Sequence, residues 1–488
     1  MAQDEPLDRQ DLRLCVDLAL EMVAAETTIV EAEVCASWCE RQGTLIQYDA
    51  EHPDGAVWES QSCTTFGVGI VAVIEDQDGR RVGFGSENGD ISPDGIMLAL
   101  EDAKLRAVPA PTFASLPLPD TAPPDTMAFY DPETLALQQI DMTSLATEAL
   151  NGALSTLRDA GFVTHVQVRG HIDSRKEHIM IGNTHGVFAG DTSTGLFATL
   201  LARLANEQSQ GTGSGAATHV QDFSAYDVGV EAAQNAMQAR GSIVLDAGDY
   251  AVIFGPQAMA DLLQDLLLPG LSLDTVVAEA SPFATHYGQH IASPLVTLTD
   301  EGRQPRMVGS RAVTGEGLPT GTTPLIERGR LIGLLADAYH APALAARFPS
   351  LAPRNGMRYA LHGQSFGMRP GIFPTNVILS GEQAVALDAL LEPIANGVYI
   401  GGLWHISPHG TRRSGEFTGT IIGPSFHITQ GKRARPLRSG TLHLHDNICD
   451  LLQGITGLST DRHQFALATM QSAVLTPAVR CRRGRLVS

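Results

Sequence analysis

Near the start of the chain the apolar positions Leu12, Leu14, Val16, Leu18, Leu20, Met22 and Val23 crowd together, and no Gly or Pro interrupts before Gly43. This pattern predicts a helix over Leu7–Glu40. Thr64 to Ile74 is β-branched and apolar, and Arg81 to Gly85 answers it across Asp76-Gln77-Asp78-Gly79, so a hairpin is expected. Ser92-Pro93-Asp94 opens a helix to Ala107, with Pro93 at its first position. A further helix is expected over Ser144–Ala160, stopped by Gly161. Strands follow near Val163–Arg169 and His178–Gly182, then a turn at Asn183-Thr184-His185-Gly186.

Pro109 to Pro124 holds six prolines and reads as a stiff surface connection, while Ser209–Ala217 reads by composition as a flexible loop. A helix from Asp227 to Arg240 leads into a second unit. That unit opens with a strand at Tyr250–Phe254 and a helix at Pro256–Leu268 that kinks at Pro269-Gly270. From Leu295 to Arg438 short strands alternate with Gly, Pro and Asp, and Leu442 to Leu458 adds a strand and a short helix. Ala466–Val479 reads as an edge strand, followed by a solvated basic tail of Arg480, Arg482, Arg483 and Arg485. The fold class is therefore α+β, with an N-terminal α/β layer domain over residues 1–225 and a β-rich C-terminal domain over 226–488.

Charge narrows the function. The 488 residues carry 54 Asp and Glu against 33 Lys and Arg, a net charge of −21. Such a surface lacks the cations that displace counterions from nucleic acid, and it repels anionic lipid headgroups. The six cysteines are too few for a disulfide scaffold and none form a CxxC pair. The acidic start is no secretory leader and no stretch is apolar enough to span a bilayer, so the expected location is the cytoplasm.

Local motifs carry little chemistry by themselves. Gly67-Val68-Gly69-Ile70-Val71-Ala72 has the letters of a dinucleotide fingerprint but lies in a strand with no helix after it. His362-Gly363-Gln364-Ser365-Phe366-Gly367 contains GxSxG, yet Pro370 and Pro374 follow where a nucleophile elbow needs a helix; a Gly-rich loop is expected. As metal-ligand candidates, His286 and His290 have i, i+4 spacing, and His443 and His445 have the period-two spacing of one strand face. His405, His409, Arg412, Arg413 and Glu416 cluster in a polar loop region suited to peptide backbone.

Several segments, in order, resemble the TldD/PmbA (TldE) family. They are Gly67-Val68-Gly69-Ile70 with Val82-Gly83-Phe84-Gly85-Ser86, Asn183-Thr184-His185-Gly186, and Ile291 to Asp300. Gly315-Glu316-Gly317-Leu318-Pro319-Thr320 with Leu325 to Leu331 follows, then Pro374-Thr375-Asn376, Arg413 to Gly419, and Gln430-Gly431-Lys432. The resemblance covers roughly residues 65–480 and implies the family's fold and a metallopeptidase system of two related subunits. In the TldD type, an HExxxH segment and a distant Cys hold zinc and the Glu is general base. By alignment from Ala251-Val252-Ile253-Phe254-Gly255-Pro256, that segment falls on Gln264, Asp265 and Pro269. Gln264 and Pro269 replace the two His, Asp265 stands for the Glu, and Cys481 lacks the Gly-rich context of the third ligand. The resemblance thus implies a TldE-like, non-catalytic subunit with no cofactor of its own. Its expected partner is a zinc-bearing TldD-like paralogue, with peptides or unfolded segments as substrate. Two alternatives remain open at this point: a divergent metallopeptidase using His286, His290, His443 and His445, and a non-enzymatic peptide-binding homodimer.

Overall fold

The computed structural model describes residues 7–52, 56–77, 79–110, 113–120, 129–348, 351–360, 363–468 and 470–488. The Met1–Glu5 start, Asp78 of the hairpin turn, His362 and parts of the Pro-rich stretch lie outside the described residues.

The predicted long first helix is two elements. Helix α1 (Arg9–Ala24) is capped by Asp8, whose side chain accepts from the N–H of Gln10 and Asp11. The chain then becomes strand β1 (Ile29–Asp49). The β-branched run Thr27-Thr28-Ile29-Val30 is stiff at χ1 and favours a pleat over a further helical turn. Strands β2 (Ala56–Asp76) and β3 (Gly79–Asn88) form the expected hairpin. Helix α2 (Pro93–Leu105) starts as predicted, with Ser92 as cap and Pro93 in its first turn. After β4 (Val108–Pro109) come the short helix α3 (Pro132–Ala136) and the long α4 (Gln139–Asp159). The two strands expected between residues 163 and 182 are one, β5 (Val166–Asn183), which β6 (Phe188–Leu204) follows.

Ser209–Ala217 is no loop; it is strand β7. Its glycines recur at every second position, on the face that helix α5 (Ala225–Gln238) covers. A Cβ at Gly211 would sit 2.0 Å from Ala236 N, and one at Gly213 would sit 2.1 Å from Val228 O. Glycine here permits close helix–sheet approach rather than flexibility. Helix α5 packs with α4 on the first sheet, so the passage to the second unit follows Gln238 instead of falling at 226.

The first sheet is antiparallel in the order β4-β3-β2-β1-β5-β6-β7. Its two faces have different partners because side chains alternate. Val34, Ala36 and Trp38 meet α1 and α2. Glu33, Ser37 and Cys39 face the 358–366 segment of the second unit. Gly67 and Gly69 lie on this second face, and a Cβ at Gly69 would be 1.9 Å from Phe366 O. The fingerprint-like glycines are thus docking positions for a loop.

The second unit is a larger mixed sheet of thirteen strands among the described residues. Strand β8 (Gly248–Phe254) pairs with Asn396–Ile400 on one side and with Ala473–Val487 on the other. Ala473–Val487 pairs also with Asn376–Ser380, Ile455–Ala466 and His443–Asn447. The expected edge strand and solvated tail are therefore this interior strand, with Val474, Val479, Cys481 and Leu486 in the core and Arg482, Arg483 and Arg485 exposed. No helix among the described residues is long and apolar enough to cross a membrane.

Candidate functional site

Gly255 and Pro256 end β8 and begin helix α6 (Pro256–Leu262), whose apolar residues Ala258, Met259 and Leu262 enter the core. The helix does not run on regularly. Leu263–Leu267 forms a π turn before Leu268–Gly270 resumes helical geometry. Pro269 explains it: a proline ring collides with the carbonyl four residues back, here Asp265, unless the turn widens. Residues five apart lie about 140° apart around an α-helix. A π turn brings such positions over one another, so Gln264 and Pro269 flank one slot.

The groups in that slot do not suit zinc. The Gln264 carboxamide is already engaged: its Nε2 donates to Asp265 Oδ1 at 2.9 Å, and its Oε1 accepts from Ala468 N at 3.1 Å. Pro269 offers no ligand atom. Cys481 lies inside the final strand, 2% exposed, its thiol donating toward Leu451 O at 3.6 Å. Burial, with Asp446 adding, pushes that thiol up to about 12, which keeps it protonated and a poor ligand. Leu267 and Leu268 are buried in the core beside the slot, as the leucine run suggested, while Leu266 is half-buried.

What the segment does border is a solvent-open cleft of about 360 Å³. Asp265 and Pro269 line it together with Arg412 and Glu416, and Leu266 and Ile448 add apolar surface. The loop behind Arg412 is fixed by short-range geometry. Arg412–Ser414 is a 3₁₀ turn ended by Gly415 at φ +74°, and Asn447 Nδ2 donates to Ser414 O at 2.8 Å. The guanidinium can donate to a carbonyl or a terminal carboxylate, and the two carboxylates can accept amide or ammonium hydrogens. These are groups that can pair with the amides and termini of a peptide.

The other sequence candidates go elsewhere. Arg413 pairs with Glu279 at 3.0 Å on the exposed rim. His405 sits in a strand irregularity at φ +49° and stacks on Trp404, ring centroids 4.1 Å apart. His409 and His445 have centroids 4.8 Å apart, and both hydrogen-bond the Thr418 hydroxyl. His443 bonds Thr420 at 3.1 Å. His286 and His290 occupy a turn region rather than a helix, and His290 bridges Arg330 in backbone pairing. The four histidines of the divergent-site alternative are thus not drawn together, and no group of three or more His, Cys, Asp or Glu among the described residues is placed to hold a metal. In GxSxG, Ser365 lies in a buried 3₁₀ turn and donates to Glu177, with no helix after it.

The sequence did not reveal Pro408, Thr275 or Pro282 as cleft residues, because they come from separate segments. It also missed Asp261, one turn before Asp265. Its Oδ2 accepts from Leu403 N and its Oδ1 from Gln257 Nε2, both at 2.8 Å, which ties α6 to the strand Gly402–Pro408. Burial pushes its carboxyl up to about 6, with Asp265 adding. A raised acid favours folding below its unfolded value near 3.8 and loses that contribution as pH rises through about 6. Asp261→Asn, which can accept only one of these two hydrogen bonds, is expected to be less stable than the parent near pH 4 and to narrow that gap by about 1–3 kcal/mol by pH 8, read from urea unfolding midpoints.

Comparison with known proteins follows from this geometry. Two family profiles match, described as the PmbA/TldA metallopeptidase central domain over residues 132–240 and the PmbA/TldA metallopeptidase C-terminal domain over 247–486. The chain belongs to the TldD/PmbA family. Within that TldD/PmbA family it is 27% identical over 216 residues to the Metalloprotease TldD homolog of Haemophilus influenzae, covering 43% of this chain and 41% of that protein. It is 23% identical over 455 residues to the Metalloprotease TldD homolog of Buchnera aphidicola subsp. Schizaphis graminum, covering 89% and 86%. The first two curated relatives are spanned over only 41% and 57% of their lengths. The TldD/PmbA fold itself is shared with TldE from Thermococcus kodakarensis at TM-score 0.78 and 19% identity, covering 98% of this chain and 100% of that one.

Proposed function

We propose that this chain is the metal-free, TldE-like subunit of a cytoplasmic two-subunit peptidase, and that it supplies part of the peptide path beside a zinc-bearing TldD-type partner. The observation that carries the reading is the fate of one segment. Gln264 is tied to Asp265 and Ala468, Pro269 has no donor, and Cys481 is buried and protonated, yet the cleft next to them keeps Asp265, Arg412 and Glu416 facing open space. A segment without zinc-ligand side chains, beside open groups able to pair with peptide amides, suits a supporting subunit.

Co-expression with an HExxxH-bearing relative tests it. The expected result is a mixed complex with one zinc per pair and chelator-sensitive peptidase activity that neither chain has alone. Arg412→Ala together with Glu416→Ala is expected to raise KM about a hundredfold or more while leaving assembly intact, since each charge-assisted hydrogen bond contributes roughly 1.5–3 kcal/mol. Stoichiometric zinc in this chain by itself, or chelator-sensitive peptide cleavage by it, would overturn the reading.

A further inference from the structure

Charge is unevenly spread along the chain. Only four of the 54 acidic residues, Glu416, Asp446, Asp450 and Asp461, fall after residue 400, against eleven of the 33 Lys and Arg. The last 88 residues therefore carry +7 in a chain whose sum is −21. A local charge opposite to the rest of the molecule steers a partner of the other sign.

The fold gathers part of this charge on one open sheet face. Strands Gly402–Pro408, Glu416–Ile422, His443–Asn447 and the end of Ala473–Val487 lie side by side. Their residues Leu403, Phe417, Leu444 and Leu486 are in the core, so the alternate residues point the other way. Register aligns Trp404, Thr420, His443 and Val487 in one row across that outer face. The face is open here: Trp404 is 61% exposed, and Arg482, Arg483 and Arg485 are exposed. Further along the sheet, beyond Asp249, which pairs in register with Arg485, Leu390 and Leu391 cover Ile253 and Tyr399 on the same face.

Two irregularities turn extra polar side chains outward. Between Cys481 and Gly484 the register with β8 slips by one residue, and both intervening arginines leave the core side. Cys481 stays in the core, and a Cβ on Gly484 would lie 2.7 Å from Val252, so that position also points inward. A second shift, between Trp404 and Ser407, sets His405 against the Trp404 ring. Of Arg482, Arg483 and Arg485, only Arg483 has a carboxylate partner among the described residues, Asp249 at 3.6 Å. Histidines add donors. His409 Nε2 and His445 Nδ1 share the Thr418 hydroxyl, which has one proton to give. With His409 donating to that oxygen, the hydroxyl proton goes to His445 Nδ1, and His445 carries its own proton on Nε2. Guanidinium groups and such an imidazole offer N–H alone, so the group they fit is a proton-free acceptor, a carboxylate.

We propose that this face docks an extended, acidic stretch of polypeptide, its carboxylates on Arg482, Arg483 and Arg485. Arg483 and Arg485 are two apart on a strand, about 6.7 Å, and acidic side chains at alternate positions of an extended peptide recur at the same interval. Nucleic acid and a second copy fit less well. A phosphate at every unit meets the −28 of the first 400 residues, and two copies at −21 each repel. A short peptide adds few charges. Trp and Arg are also the residue types that dominate interface hot spots. The inference concerns binding by this chain alone and does not rest on the peptidase reading.

Fluorescence anisotropy with the full chain tests it, using labelled peptides of equal length that alternate Thr with Glu, Gln or Lys. The Glu peptide is expected to bind at least about tenfold tighter than the other two, and to weaken about tenfold between about 0.05 and 0.3 M salt. The triple variant Arg482→Ser, Arg483→Ser, Arg485→Ser, all at exposed positions, is expected to lose about tenfold in affinity. A control with the same change in net charge, Arg13→Ser, Arg106→Ser, Arg328→Ser, is expected to bind as the parent does, since these exposed arginines pair with Asp17, Asp102 and Glu382 elsewhere. Equal losses in the two triples would assign binding to overall charge, and equal affinity for an oligothymidylate would assign it to any polyanion. Either result overturns the inference. So does an absence of Glu-peptide binding at about 1 mM, or self-association of the parent that excludes the peptide and that the first triple abolishes.

Discussion

Arg358→Met is expected to lower the unfolding free energy by about 3–5 kcal/mol, the usual cost of leaving one member of a buried ion pair alone. Glu33 is 2% exposed and Arg358 is 3% exposed, and their pairing joins β1 to the second unit. Arg358 also donates from Nε to Gly315 O at 2.7 Å, so the substitution strands an acceptor as well as a charge. The pH dependence identifies the cause. Burial raises the Glu33 carboxyl above its ordinary value of 4.5, and Arg358 opposes that rise. Without the arginine the rise is larger, and the stability tied to a raised acid is present below the unfolded value and lost as pH climbs. The deficit should therefore be smallest near pH 4.5 and grow toward neutrality. Urea denaturation of both proteins at pH 5 and pH 8 measures it, and an equal deficit at the two pH values would point to lost packing rather than a stranded carboxylate.

Gly69→Ala should cost about 3 kcal/mol, the upper end of ordinary overpacking. The added methyl would meet backbone, Phe366 O at 1.9 Å, and backbone cannot rotate aside as a flexible side chain can. The loop it strikes is anchored just ahead of the contact, by Ser365 donating to Glu177 and by Phe366 N donating to Ser37 Oγ at 3.0 Å. Either the loop leaves the sheet, exposing Phe366, or β2 distorts. Gly248→Ala is the matched control, because a Cβ there meets nothing closer than Tyr250 at 3.6 Å. Hydrogen exchange at residues 363–368 separates the two responses. Native protection of that loop together with a midpoint equal to that of Gly248→Ala would refute the docking role of Gly69.

Glycine shows how far a sequence carries by itself. In β7 the alternation of Gly211, Gly213 and Gly215 was visible, but composition suggested a loop; only the helix laid across that face gives the alternation its meaning. The Gly67 and Gly69 pair was placed in a strand from its β-branched surroundings, and the reason for the glycines lay in a loop some three hundred residues later. Period-two burial likewise could not say that Ala473–Val487 is interior, since its neighbours come from four separate stretches of chain.

The candidate site divides the same way. Gln264, Asp265 and Pro269 were legible because ligand chemistry is a property of residue type, and so was the suitability of Arg412 and Glu416 for peptide groups. That Asp265 and Pro269 line one cleft with Arg412 and Glu416 was not, because nearly 150 residues separate them. Helix starts, the α2 cap and the β2–β3 hairpin were set by neighbours a few positions apart, where local hydrogen bonding and sterics decide. Cavities and the engagement of Gln264 with Ala468 depend on which distant segments are packed together. Such contacts are chosen by burial summed over the whole chain, and no local window records that sum.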